Sequence, residues 1–524
     1  MTGVKKAVVL LLAAFAILFV ACPTVDLSRK GVRPPTSADA TASGPVAGFG
    51  DFRVAGADFA DASTMVVDDL GRGIDDIAAG MITTVRGTLD ASFQTGFASM
   101  ITIEREMRGP ASDNVVSLDN GTFRVLGRTV IVNPATVLLD AAGKDTSLGE
   151  LKKGFLDNDF RPILEVHGAV QDNGAIRASY ISWIQDNVVD GGNVELRGTV
   201  REINTLAHTF RIGPQTVNYM RLSASGRINW PPAGLYNGLV VDVWGCIEID
   251  GETWVVRTRD NTDDRIAVIS VGLGNMPDRI ALEGYVLSGV SNLFRLSVPG
   301  GAVTVTSDAA TTLSGDTFGI GKKVRVKGTL LGNDGRQVQA SSVFVLKALD
   351  VLLEGPLKSL PSGGDTIALL DRTVKTDGFT MFRDPSGGVR DGFGLRSLAL
   401  DNIVRVIGWV DGSVAAGNIV AARLDRIDGN TDRVSIQGPA SSCNNQLSPS
   451  LQILNFTVST NSSDIDYYDK GGVKLDDRDA FCGKLAAGAI VRVRNGVFVS
   501  AAPPRINPPT AGDRMELEIV NVVR

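Results

Sequence analysis

One phrase recurs along the chain and limits what it can fold into: a glycine, four residues, then a strand that ends Val-x-Gly. It reads Gly80, Val85, Gly87, then Gly238, Val243, Gly245, then Gly321, Val326, Gly328, and finally Gly488 and Val493 closed by Asn495-Gly496. Two copies are altered. Asp401 stands at the first glycine position before Val406 and Gly408, and Leu164-Glu165-Val166-His167-Gly168 follows Gly154 after a longer loop. The physical reading is a turn that needs positive φ at its first residue, feeding a strand whose alternate residues face a core. Asp tolerates the left-handed region better than most residues, so Asp401 fits the same turn.

A second phrase opens each unit: Arg108-Gly109-Pro110, Arg197-Gly198-Thr199-Val200, Glu283-Gly284-Tyr285-Val286, Glu354-Gly355-Pro356-Leu357 and Gln437-Gly438-Pro439. Hairpins lie between the phrases, at Gly121 to Val130, Phe210 to Val217 and Phe294 to Val305, and turns such as Asp172-Asn173-Gly174 follow the closing glycines. Each unit holds five or six short strands. A chain of 524 residues then divides into a leader at 1–21, a tether at 22–45, and β modules at 46–106, 107–190, 191–278, 279–349, 350–430 and 431–524, the last a divergent copy. Helical stretches are brief, as at Ser147 to Lys153. The expected fold class is all-β, with tandem small OB-like β-barrels and short connecting helices; an array of β-sandwiches is the alternative, favoured by strand counts near seven. The 59 glycines fit so many turns.

The opening residues read as export machinery. Lys5 and Lys6 precede an uncharged apolar run from Ala7 to Ala21, too short for a bilayer span, and then Cys22. Leu18-Phe19-Val20-Ala21-Cys22 resembles a bacterial lipobox, with Phe19 where that pattern prefers Leu; an ordinary signal peptide cut near Ala21 is the alternative. The resemblance implies a lipid (palmitate-type) modification at Cys22, a membrane attachment through it, and a cell-envelope location. Pro23 rather than Asp after the cysteine favours the outer over the inner membrane by the same resemblance. Cys443 and Cys482 fit a disulfide in the last module, and Cys246, in a strand-like run, fits a buried free thiol.

Chemistry is scarce. The chain has two histidines, His167 and His208, and lacks a Gly-x-Ser-x-Gly elbow, a His-Glu-x-x-His pair, a phosphate loop and a Cys-x-x-Cys. His167 is expected to be a partly exposed strand residue and His208 part of a hairpin turn. No enzyme, no cofactor and no metal centre is expected. A net charge of −6 argues against nucleic acid, whose binding rests on phosphate neutralisation. The acidic stretches at 260–264, 425–432 and 464–469 offer oxygen ligands for Ca²⁺ without the spacing of a calcium loop, and read as solvated linkers. Trp230, Trp244 and Trp254 could build a saccharide-stacking face, against the simpler reading of core packing.

With these phrases in hand, the chain resembles the bacterial domain-of-unknown-function family 5666, found as tandem modules in lipoproteins. The resemblance rests on the opening phrase, the hairpin Phe123 to Val130 and the Gly321 to Gly328 phrase, over residues 46 to 430. It implies a fold and an exported location and transfers no activity. The expected role is a non-enzymatic, lipid-anchored envelope scaffold or spacer; the alternative is recognition of an envelope glycan or protein partner by one barrel face.

Overall fold

The computed structural model describes residues 38–520 apart from 49–51, 61–63, 118–120, 152–161, 186–189, 251–252, 262, 270–272, 275–277, 333, 360–364, 385–392, 413–417, 430–431, 442, 444–448, 487 and 510–512. The leader, Cys22 and most of the tether lie outside the described residues. Strand dominates what is described, and helix is confined to turns before the Gly-x-x-x-x-Val phrase. Ile74–Asp76, residues 148–151, Leu395–Ser397 and Arg478–Lys484 all occupy that place. No helix among the described residues is long and apolar enough to cross a membrane.

The second module shows the common plan. Its five longer strands are Met107–Ser117, Thr122–Val125, Arg128–Ile131, Ile163–Val170 and Ile176–Gln185. The first pairs with the second, the second with the third, the third with the fifth in parallel, the fifth with the fourth, and the fourth returns to the first. The ladder therefore closes on itself. A short strand, Val137–Leu139, adds to the fifth in parallel. The first and fourth modules repeat this circuit strand for strand. In the third the first strand continues past Val200, and in the sixth a single bridge from Ala440 to Ile453 completes it. The fifth follows the same order from its hairpin round to its opening strand.

The two glycines of the recurring phrase do different work. The first takes positive φ, from 74° to 99° at Gly80, Gly238, Gly321 and Gly488, and Asp401 adopts 62° in its place. The closing glycine sits at a bulge: register shifts at Arg86/Gly87, His167/Gly168, Lys327/Gly328 and Ile407/Gly408. A Cβ at Gly87 or Gly408 would overlap the carbonyl oxygen of Phe97 or Val420 on the neighbouring strand, so no larger residue fits without moving backbone.

The tether was placed through residue 45, but Ala38–Gly48 is a strand, held by Ile82–Leu89 on one side and Arg279–Val290 on the other. Its run of Ala, Ser and Thr is small because it is covered on both faces: Ala40, Thr41, Ala42 and Ser43 are all buried. Ser43-Gly44-Pro45-Val46 is a sixth opening phrase, concealed by that composition.

Modules join by sharing strands. The second and third pair antiparallel through Met107–Ser117 and Asn193–Thr199; the fifth and sixth do so through Val351–Pro356 and Val434–Pro439. The first pairs with the fourth, in parallel, Ala40 to Ser43 beside Arg279 to Leu282. One apolar core runs through modules two and three and another through five and six. The core of the first module takes in Val137 and Tyr180 of the second, Ala281 of the fourth and Met381 of the fifth. The chain thus folds back on itself.

Candidate functional site

Each module carries one cross-strand pair at a fixed place. The residue before the opening glycine lies opposite the residue between the two closing valines, or its equivalent: Arg108 opposite Glu165, Arg197 opposite Asp242, Glu283 opposite Arg325, Glu354 opposite Arg405, Gln437 opposite Arg492 and Ser43 opposite Thr84. The opposed residues are complementary in type although the sign reverses, and in the second module Glu165 bonds to Arg72 and His167 rather than to Arg108. Arg325 Nε donates to Glu283 at 2.8 Å, Arg405 Nε to Glu354 at 2.7 Å and Arg492 Nε to the Gln437 amide oxygen at 2.8 Å, while Ser43 and Thr84 share a hydroxyl hydrogen bond of 3.1 Å. Lys323 and Arg325 outweigh the burial of Glu283 and hold its carboxyl down to about 2.

Where the first three modules meet, these pairs merge into a buried network. Arg105 Nε donates to Glu195 at 2.8 Å and its Nη1 reaches Asp68, while Arg72 bridges Asp68 and Glu165. Arg197 holds Glu104 at 2.6 Å and Asp242 at 3.2 Å, and Arg265 holds Asp69. Arg105 and Arg265 also face the ring of Trp244, at 5.6 and 4.6 Å. Burial raises the carboxyls of Glu195 and Asp242, and their mutual proximity couples them. Asp69, Glu195 and Asp242 bring oxygens within 4.8 Å of one another, a set a hard cation accepts, but each already faces its own arginine.

His167 is corrected from partly exposed to fully buried. Its Nδ1 faces the Glu104 carbonyl oxygen at 2.8 Å and its Nε2 the Glu165 carboxylate at 2.7 Å. Two acceptors are both served only when both nitrogens carry protons, whereas burial holds the imidazole below its ordinary pKa. Glu165, which Arg72 also holds, stays near 2 despite its burial, through His167, Arg72 and Arg105. His208 is in the expected turn, exposed, at φ 53°, edge-on to Tyr219.

The three tryptophans have separate partners. Trp244 lies between the two arginines; Trp230 donates to the Ile266 carbonyl at 2.8 Å and packs on Tyr219; Trp254 packs on the core of modules two and three. The acidic stretches are not free linkers. Asp264 is buried on Arg259, Asp425 is fully buried on Arg423, and Asp466 is held by Lys474 and Arg514. Cys443 and Cys482 are bonded across a separation of 39 residues, and Cys246 is a buried thiol. Closing such a loop stabilises the last module by roughly 4 kcal/mol in the chain-entropy model.

Beside the network opens a cleft of about 860 Å³ between modules two, three and four. Glu106 lies at its floor, 4% exposed, and among the described residues its carboxyl has no hydrogen-bond or ion-pair partner. Burial pushes that carboxyl up to about 7 against the pull of Arg197 and Arg128. Arg128 is fixed by the carbonyls of Arg197 and Gly174. Neither Glu106 nor the cleft was foreseen; the sequence signal was an Arg-Glu pair, Arg105-Glu106, where module five has Val351-Leu352 before the same phrase.

The circuit of the second and fifth modules can be set beside known families. Residues 114–182 and 354–425 match the Domain of unknown function (DUF5666). Both stretches are similar to DUF5666 modules, in tandem along one chain. The first match contains the Phe123 to Val130 hairpin; the Gly321 to Gly328 phrase lies outside both. No curated protein matches the chain. Among solved structures, a multidomain protein with nucleic acid binding domains from Streptococcus pneumoniae TIGR4 is 11% identical over 45% of this chain and 74% of that chain, with a TM-score of 0.12.

Proposed function

We propose that the chain is a non-enzymatic, lipid-anchored scaffold of the bacterial cell envelope, held at the outer membrane by an acylated Cys22, and that its six units are OB-like barrels. The barrel reading is supported by strand order: a closed circuit of first, second, third, fifth and fourth strands with a parallel third-to-fifth pairing. The observation that carries the scaffold over the spacer is the parallel pairing of the first and fourth modules, because a chain that folds back presents a broad body rather than reach. Arg105 and Arg197, at the module junctions, are spent on ion pairs with neighbouring acids, which suits a structural role.

Labelling with a palmitate analogue and fractionation of the expressed protein test the anchor. The wild-type chain is expected to take up label and sediment with outer membranes, and Cys22→Ala to do neither. Label-free membrane association that survives Cys22→Ala overturns it.

A further inference from the structure

We propose that the cleft between modules two, three and four binds an acidic saccharide, with Glu106 accepting hydroxyl hydrogen bonds at its floor and Arg201 and Arg336 pairing with carboxylates at its rim. This goes beyond the scaffold role and does not depend on the anchor.

A carboxylate left buried without a partner costs stability unless something donates to it. Glu106 has none among the described residues, while every other acid of the adjoining network is paired, and it faces open space in the cleft. Arg128 and Arg197 flank it, which disfavours a metal cation there, and a carboxyl that accepts when ionised and also donates when protonated suits sugar hydroxyls, which do both. The rim has the opposite demand. Arg295 faces Asp172 and Arg211 faces Glu202, but among the described residues the Arg201 and Arg336 side chains have no ion-pair partner. Two guanidinium groups and one carboxyl, none with an ion-pair partner among the described residues, suit a ligand with anionic groups and hydroxyls together. Tyr236, 53% exposed in the wall, offers an aromatic face for sugar C–H groups. The volume accommodates several sugar rings, within the range of small-molecule sites. A nucleic acid would place phosphates against Glu106 and is disfavoured.

Isothermal titration of the Cys22→Ala chain with tetragalacturonate, a glucuronate-containing tetrasaccharide and neutral maltotetraose tests this. At least one acidic tetrasaccharide is expected to bind, and maltotetraose at least tenfold more weakly. Glu106→Gln and the pair Arg201→Ala/Arg336→Ala should each weaken binding at least tenfold with melting temperature retained. Absence of binding by both acidic sugars, equal binding of maltotetraose, or binding unchanged in Glu106→Gln overturns the proposal. Replacement of Trp230 by Ala is expected to leave binding intact; its loss there alone, with the cleft variants unaffected, places recognition on another face and also overturns it.

Discussion

Modules two and three meet as modules five and six do, by their opening strands side by side, yet the same positions carry opposite chemistry. Where the fifth module enters its opening strand with Val351-Leu352, the second has Arg105-Glu106. Where the sixth has Ser435 and Gln437, the third has Glu195 and Arg197; where the sixth answers with Arg492, the third answers with Asp242. Ile407 of the fifth stands at the place of His167 in the second. One junction carries a Gln437–Arg492 hydrogen bond and a partly exposed Glu354–Arg405 pair beside its apolar core; the other is a buried charge network that also grips Asp68 and Arg72 of the first module. The backbone plan tolerates either, provided opposing residues complement each other. The charged version appears where a third module docks, and polar groups there fix which surfaces meet.

The largest expected difference is in truncation. Arg105→Ala leaves Glu195 buried without its arginine and Asp68 held by Arg72 alone, and should cost about 3–5 kcal/mol. Val351→Ala at the equivalent place removes only two methyl groups, about 2 kcal/mol. Calorimetric unfolding of the two full-length variants checks this; equal losses would erase the distinction. A smaller effect separates the two complementary pairs. A double-mutant cycle on Arg197 and Asp242 should give a coupling above about 1.5 kcal/mol. The same cycle on the more exposed Glu354 and Arg405 should give about 0.5–1 kcal/mol. The smallest effect is in pH. Because folding raises the Glu106 carboxyl to about 7, its protonated form is favoured in the native state, and that contribution is full at low pH and lost as pH rises through 7. Melting temperature should therefore fall by a few degrees from pH 5 to 8, and less so in Glu106→Gln.

Much of the single module was legible in the sequence. Turn glycines, Asp401 in their place and the hairpins follow from local spacing, and local spacing is what a sequence displays; the Cys443–Cys482 bond was expected from cysteine usage in an exported chain. What escaped depends on distant partners. Ser43-Gly44-Pro45 looked like tether because two separate strands bury it, one of them more than two hundred residues away. His167 and Asp425 looked exposed because nothing nearby in sequence announces Arg72 against Glu165, and an acid beside an arginine is as common on surfaces as in cores. The cross-strand pairs were readable in principle by listing the residue before each opening glycine against the one between each pair of closing valines. The partnership of first and fourth modules was not, since all six opening strands offer similar edges.

That partnership is the centre of the account, and small-angle X-ray scattering of the Cys22→Ala chain after leader removal tests it most directly. A folded-back body of about 500 residues has a radius of gyration near roughly 23 Å. Six modules strung in a row, each about 30 Å across, would exceed roughly 40 Å. The account predicts a value close to the first; a value near the second, with a scattering profile of a rod, would contradict it.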